Sequence, residues 1–359
     1  MIFGCSLLLS YSPWELENDM CFKKIAGAAA LTLFTAVLTG CIEESPREVV
    51  VYCALDKEFS QEILLQFEQE TGIKVHAKFD LESNKTVGLA NEIIQLADRQ
   101  RCDLFWNNEI LHTLRLKNND LLVPYECDAM KHFPDQFVSP DSEWFGFAAR
   151  ARVLLVNKEL LDDPQQWPDS IQDLVDPKWK RRCGAAKPLF GTSASHAAVI
   201  YTQLGDQAGD DFFESLAENA NIESGNKQVA RNVALGRYAF GLTDTDDAII
   251  EIEAGHPVAM IFPDQATAKS GTLLIPNTLA ITGGPNTDNA KQLVDFLLRK
   301  QIEERLATGP SAQIPLHEQA QIKSRVEPEN LKVLKVDFEA VAENWEHVKK
   351  RLLKIYSLK

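Results

Sequence analysis

The sequence is short of positive charge. Its 37 lysines and arginines face 52 aspartates and glutamates, a net charge of −15 over 359 residues. That balance argues against nucleic acid as a partner, because phosphates call for clustered Lys and Arg. A membrane span is also lacking: the apolar run Ile25–Leu38 is too short to cross a bilayer comfortably. A sensor fused to its own membrane segment is therefore not expected. No two cysteines have zinc-finger spacing, so no structural metal site is expected. There is no repeat and no low-complexity segment. A nucleophile elbow is missing too, since the position that would need Gly after Ser193 holds Ser195. A serine as close in sequence as Ser193 is to His196 rarely makes a triad. What is present is the composition of a soluble globular protein, 45% hydrophobic and 25% charged, long enough for two lobes of ordinary size.

The N-terminus carries the strongest local signal. Lys23 and Lys24, the apolar Ile25–Leu38 and the small-residue end LTGC form the basic, apolar and small segments of a secretory signal. The cysteine after Gly40 resembles a bacterial lipobox, which implies a signal peptide over residues 1–40 and a lipidated Cys41. The alternative is a buried helix ending at Gly40. Glu15, Glu17 and Asp19 sit where a basic region should begin, so Met20 is the expected true start, testable by mapping translational starts. Cleavage would remove two lysines and those three acids, moving the net charge from −15 to −14. Beyond Cys41 lie Cys53, Cys102, Cys127 and Cys183. An exported chain can oxidise these four, but three pairings are possible and spacing does not choose among them.

The rest reads as alternating strands and helices. EVVVYCA is a buried strand, FSQEILLQFEQETG a helix with Gly72 as its cap, and IKVHAKF a strand. Such a βαβ unit implies a parallel sheet. The pattern continues through DLFWNN, EILHTLRLKNNDLL, the long strand passage WFGFAARARVLLVNK, a helix in IQDLVDPKWKRR stopped by Pro177, and SASHAAVIYTQLG. Then come the helices KQVARNVALGR and DDAIIEIEAG, the strands AFGLTD, VAMIFPD and LLIPNTLAI, and a long amphipathic helix from DNAKQLV onward. Alternation of this kind predicts a doubly wound α/β architecture.

Several stretches, in order, resemble the extracellular solute-binding proteins of ABC importers, in the group that includes binders of ferric iron, phosphonates and phosphorylated sugars. They are VVVYCALDKEFSQEILLQFEQETGIKV, CDLFWNNEILHTLRLKNNDLLVPY, WFGFAARARVLLVN, FGTSASHAAVIYTQLG, AFGLTDTDDA and PNTLAITGGPNTDNAKQLVDFLL. The resemblance implies the two-lobed periplasmic-binding-protein fold (type 2), each lobe a doubly wound, mostly parallel sheet, with a hinge of crossing strands. Lobe one would be 48–150 plus 266–359, and lobe two 151–265. It further implies a monomer without a cofactor or catalysis, an exported cell-envelope lipoprotein facing the periplasm or the cell exterior. Its partners would be a small-molecule or metal-ion ligand, an ABC permease and ATPase, and the membrane through its lipid.

In open α/β sheets ligands bind beyond the carboxyl ends of strands, beside helix N-termini. That rule selects the candidate residues. Asp56 follows the first strand, at a place where iron binders of this kind carry His or Tyr; it reads equally as a helix-start residue held by the dipole. Asn107 in WNNE offers a donor and an acceptor at a strand end, while Asn108 reads as the cap of a helix beginning at Glu109. Gly191, Thr192 and Ser193 open a helix where an anion is welcome, and the hydroxyls also suit capping. Arg150 and Arg152 share one strand face, shaped for carboxylate or phosphate, and Arg152 is preferred; a structural ion pair at the hinge is the alternative.

GLTDTDDA, residues 241–248, is the sharpest case. Similar ferric-iron binders carry paired tyrosines here, whereas this chain has Thr245, Asp246 and Asp247 and no tyrosine. Carboxylates suit hard cations, and Asp56, Asp244 and Asp246 are the ligands expected if the solute is a metal. Ala248 stands where an EF-hand needs a ligand. Local helix chemistry explains the same acids: Asp244 caps, and acids in a first turn gain about 0.3–1 kcal/mol each. The functional expectation is an importer's binding component for ferric iron, another metal, or a small anionic or phosphorylated solute. The rival is a periplasmic enzyme or a sensory partner domain on the same scaffold, and no poised acid–base pair supports it.

Overall fold

The computed structural model describes residues 47–80 and 87–356. The signal segment 1–40, the start at Met20 and the lipidation at Cys41 lie outside the described residues.

Among the described residues, nine strands carry the frame. β1 (Glu48–Cys53), β2 (Lys74–Phe79) and β3 (Leu104–Asn107) are mutually parallel, with β1 in the middle. α1 (Lys57–Thr71) connects β1 to β2, burying Ile63, Leu64 and Phe67 and ending at Gly72, whose φ of 70° permits the left-handed cap. α2 (Val87–Gln95) connects β2 to β3, and α3 (Leu111–Lys117) follows β3. β4 (Phe145–Asn157) is buried along its whole length. In the second half, β5 (Cys183–Ala186), β6 (Asn221–Glu223) and β7 (Phe240–Asp244) are parallel, with β5 in the middle. Between them run α4 (Gly191–Leu204), α5 (Asp206–Asn219) and α6 (Asn226–Ala234). α7 (Thr245–Glu253) leaves β7, and β8 (Val258–Ile261) returns to pair with β4. β9 (Leu274–Ile281) then crosses back, and α8 (Thr287–Leu297), α9 (Lys300–Thr308), α10 (Phe338–Glu343) and α11 (Trp345–Tyr356) complete the chain.

The strand order is β2-β1-β3-β9-β4-β7-β5-β6, with β8 also on β4. β4 is antiparallel to β9 through its first half and to β7 and β8 through its second. The two halves thus hinge on β4 and β9, and the expected two-lobed α/β fold is the one observed. Each half is parallel except for these crossing strands. Both cores are aromatic: Phe67 meets Phe296 edge-on at 5.4 Å, and Trp179 meets Phe240 at 5.2 Å. Each ring so buried contributes roughly 1.5–3 kcal/mol.

Two local expectations change. IQDLVDPKWKRR forms two short 3₁₀ turns, Ile171–Val175 and Pro177–Trp179, because Pro177 cannot donate and Ser170 and Asp176 each start a new turn. The C-terminal stretch touches both halves. Glu339 of α10 meets Lys117 of α3 at 2.6 Å, whereas Arg351 of α11 pairs with Asp206 and Asp210 of α5, and the Tyr356 hydroxyl donates to the Phe213 carbonyl. Finally, Cys102, Cys127 and Cys183 are buried free thiols, so no disulfide joins them. Burial pushes all three up to about 12, which keeps them protonated.

Candidate functional site

A cavity of about 690 Å³ opens where the parallel strands of both halves end. β1 leads to Asp56, β3 to Asn108, β5 to Lys187, β6 to Ser224 and Gly225, and β7 to Asp244. Three helices begin on its wall: α4 at Gly191–Ser193, α6 at Asn226 and α7 at Thr245. The approach of α6 depends on Gly241 in β7, where a Cβ would sit 2.4 Å from the Val229 side chain. Gly191 has φ 53°, a turn that a residue with a side chain seldom makes.

Behind the wall lies a closed network. Asp244 accepts from the Arg152 guanidinium at 2.6 Å, from the Thr192 hydroxyl at 2.6 Å and from the Asn226 amide at 3.0 Å. The other donors of Arg152 reach Thr192, Ser193 and His196 Nδ1 at 3.3–3.4 Å. Ser193 also donates to Asn226 Oδ1, the side-chain amide oxygen, at 3.0 Å. Burial works against a charged Asp244, but the Arg152 and Arg150 charges outweigh it and hold the carboxyl below its usual range. Burial, with help from the Arg152 charge, drops His196 to about 3, so it is neutral and accepts.

Nearer the cavity the network is incomplete. Arg150 Nη1 donates to Asp246 at 3.1 Å and Nη2 to the Asn108 carbonyl. Burial pulls against the charged guanidinium, but Asp246 and then Asp244 overcome it and raise Arg150 above its ordinary value. Yet Arg150 Nε is buried without a hydrogen-bond partner, and so is Asn108 Oδ1. A buried donor or acceptor left unmade costs about 1–3 kcal/mol, so these two atoms mark where a polar ligand is expected. Asp244, Asp246 and Asp247 bring one oxygen each within 4.8 Å of one another.

The structure therefore brings Asp56, Gly191, Thr192, Ser193, Asp244 and Asp246 to one cavity and leaves two candidates out. Asn107 is fully buried, its amide spent on Glu109, Thr113 and the Asn108 N–H. Arg152, preferred over Arg150, sits behind the wall as the partner of Asp244, and Arg150 is the arginine that lines the cavity. The capping expectations also shift. Asp244 does not cap with its side chain, and Thr192 and Ser193 bond other side chains. The start of α3 is held by the Glu109 carboxylate, not by Asn108. Sequence reasoning passed over Lys187, Phe190 and the Ser224–Gln228 turn. The same strand-end rule applied after β5 finds Lys187 and Phe190, and after β6 it would have found Ser224 onward had that three-residue strand been legible.

Residues 112–344 match the model of a family described as bacterial extracellular solute-binding proteins. Among curated proteins, the chain is 23% identical to iron uptake protein A1 of Synechocystis sp. over 308 residues, covering 80% of this chain and 83% of that protein. Iron-bound HitA from Pseudomonas aeruginosa superposes with a TM-score of 0.76 at 20% identity, over 85% of this chain and 99% of that one. AfuA from Actinobacillus pleuropneumoniae, solved with fructose-6-phosphate, gives 0.75 at 21% identity, over 87% and 99%. At such identities the structural likeness is one of fold.

Proposed function

The chain belongs to the bacterial extracellular solute-binding protein family, and from that premise we propose that it captures a small anionic solute between its lobes and delivers it to the permease of an ABC importer. One observation carries the choice of an anion. The two buried acids that a bare cation would need, Asp244 and Asp246, are each paired with a buried arginine. Meanwhile α4 and α6 both begin on the wall of the same space, and the N–H groups of a helix's first turn have no acceptor within their own helix. Lys187 and Lys227 line it, and half-exposed Phe190 adds an apolar face. A volume of about 690 Å³ suits an organic phosphate, phosphonate or carboxylate. Capture needs no bond chemistry: the solute stabilises the closed arrangement, and the population follows.

A hard metal ion is the second reading, favoured by the clustered oxygens of Asp244, Asp246 and Asp247. Among the described residues no tyrosine lines the cavity to supply the phenolates a ferric site would use. Thermal shift and native mass spectrometry separate the two. Stabilisation by phosphonates and sugar phosphates, with none from Fe³⁺ against competing citrate, fits the anion; the reverse pattern overturns it. Export and anchoring at Cys41 complete the proposal. Incorporation of a labelled fatty acid that disappears in Cys41→Ala checks the anchor.

A further inference from the structure

The cavity's arginine owes its position to an irregularity in the hinge. Between Phe147 and Arg150, β4 gains one residue relative to β9, opposite Pro276, which has no N–H to offer the ladder. An extra residue reverses the side-chain alternation beyond it, so this bulge decides which face Arg150 and Arg152 take. Its backbone is fully accounted for. Ala149 exchanges both hydrogen bonds with Ile314 at 2.7 and 2.8 Å. Ala148, held at a left-handed φ of 42°, gives its carbonyl to Asn277 and its N–H to the carboxylate of Glu303. Glu303 is fully buried on α9 and also accepts from the N–H groups of Leu316 at 3.0–3.1 Å and His317 at 2.5 Å.

We propose that Glu303 is a positioning residue for ligand capture: its carboxylate holds the left-handed bulge at Ala148 and thereby aims Arg150 into the cavity. The proposal rests on the anion reading only in its choice of probe. Both oxygens of Glu303 receive N–H donors, an arrangement that suits the charged form. Protonating either oxygen would turn an acceptor into a donor facing a donor. Burial favours the neutral acid, and against the opposing hydrogen bonds from Ala148, His317 and Leu316 it lifts Glu303 to about 7. The charged or titratable groups around it are His317 on the adjoining segment, His132 stacked 5.1 Å from that ring, Lys300 and Glu304 on its own helix, and Arg150 beyond the bulge. His317 is held below its usual value, first by burial.

Sulfate binding, followed calorimetrically from about pH 5 to about pH 9 where the charge of this probe is constant, tests the idea. Wild-type affinity should fall as the pH drops through about 7. Glu303→Gln should weaken binding about tenfold at alkaline pH and flatten that dependence. Adding Ala148→Gly, which tolerates the left-handed turn unaided, should restore part of the affinity. A folded Glu303→Gln variant with wild-type affinity and pH profile overturns the proposal. If the wild type binds no sulfate, the anion reading suffers and hydrogen exchange decides the present one: faster exchange of the 147–152 amides in Glu303→Gln upholds it, and unchanged exchange overturns it.

Discussion

Two arginine–aspartate pairs stand side by side on the same face of β4, two residues apart, and they differ in completeness. Arg152 meets Asp244 at 2.6 Å, and each nitrogen of its guanidinium has a protein acceptor within 3.4 Å. Arg150 meets Asp246 at 3.1 Å and keeps a buried Nε with no partner, beside an equally orphaned Asn108 Oδ1. Both pairs take two charges out of water, so neither is strong support for stability by itself. The difference lies in what remains to be satisfied. The inner pair uses its whole donor set to lock β4, β7, α4 and α6 together, and so works as scaffold. The outer pair leaves donor and acceptor capacity facing the cavity, which is what recognition requires.

The most severe way to break the inner pair is Arg152→Met. It leaves Asp244 buried without its cation, which is expected to cost about 3–5 kcal/mol in urea unfolding. Arg152→Met combined with Asp244→Leu should recover much of that loss, because the stranded charge goes too. If the single variant unfolds like the wild type, the inner pair is not scaffold.

His196 offers a second test of the same network through pH. Its folded pKa of about 3 lies below its unfolded value. Between the two, the unfolded chain binds more protons, so stability is complete above about pH 6.5 and is lost as the pH falls toward 3. His196→Asn keeps an acceptor near Arg152 and cannot charge, so its acid unfolding should be shallower by up to a few kcal/mol at about pH 4. Coincident acid transitions for the two proteins would contradict the buried neutral imidazole.

The outer pair is probed by Arg150→Ala. Loss of a charged donor from recognition should weaken binding of a phosphonate by about 1.5–3 kcal/mol, roughly ten- to hundredfold, with a smaller loss of folding stability than Arg152→Met. Calorimetry with methylphosphonate measures it. Under the metal reading the sign inverts, because removing the guanidinium releases Asp246 to a cation.

How much of this was legible follows from the range of each signal. The strand at Glu48–Cys53, the helix to Gly72 and the strand-end rule that led to Asp56, Thr192 and Asp244 rest on local periodicity, and the structure has these elements in place. The choice between Arg150 and Arg152 was not legible, since both sit on one face by alternation and only the hinge geometry sets their depths. Asn107 looked available because its strand ends there, but its amide is used by Glu109 and Thr113, whose positions follow from how α3 starts. The α6 turn was missed because three residues, Asn221–Glu223, are too few to announce a strand. Asp244, read as a cap, spends its carboxylate across the fold on Arg152, 92 residues away in sequence.

The smallest effect expected distinguishes the third aspartate from the other two. Asp247 is half-buried in the first turn of α7, one residue past Asp246, where its N–H donates to Asp246 Oδ1 at 3.0 Å and its charge acts on Arg150 after those of Asp246 and Asp244. A carboxylate at a helix N-terminus contributes about 0.3–1 kcal/mol, reduced by salt. Asp247→Asn should therefore lower stability by that amount in urea and leave less difference at high ionic strength. For anion capture the same change removes a negative charge from the cavity wall, so methylphosphonate affinity should hold or rise slightly. A metal site built on Asp244, Asp246 and Asp247 would lose one of its three ligands instead, and cation binding would collapse. One conservative substitution thus gives opposite signs for the two ligand classes, with too small a stability change to blur the comparison.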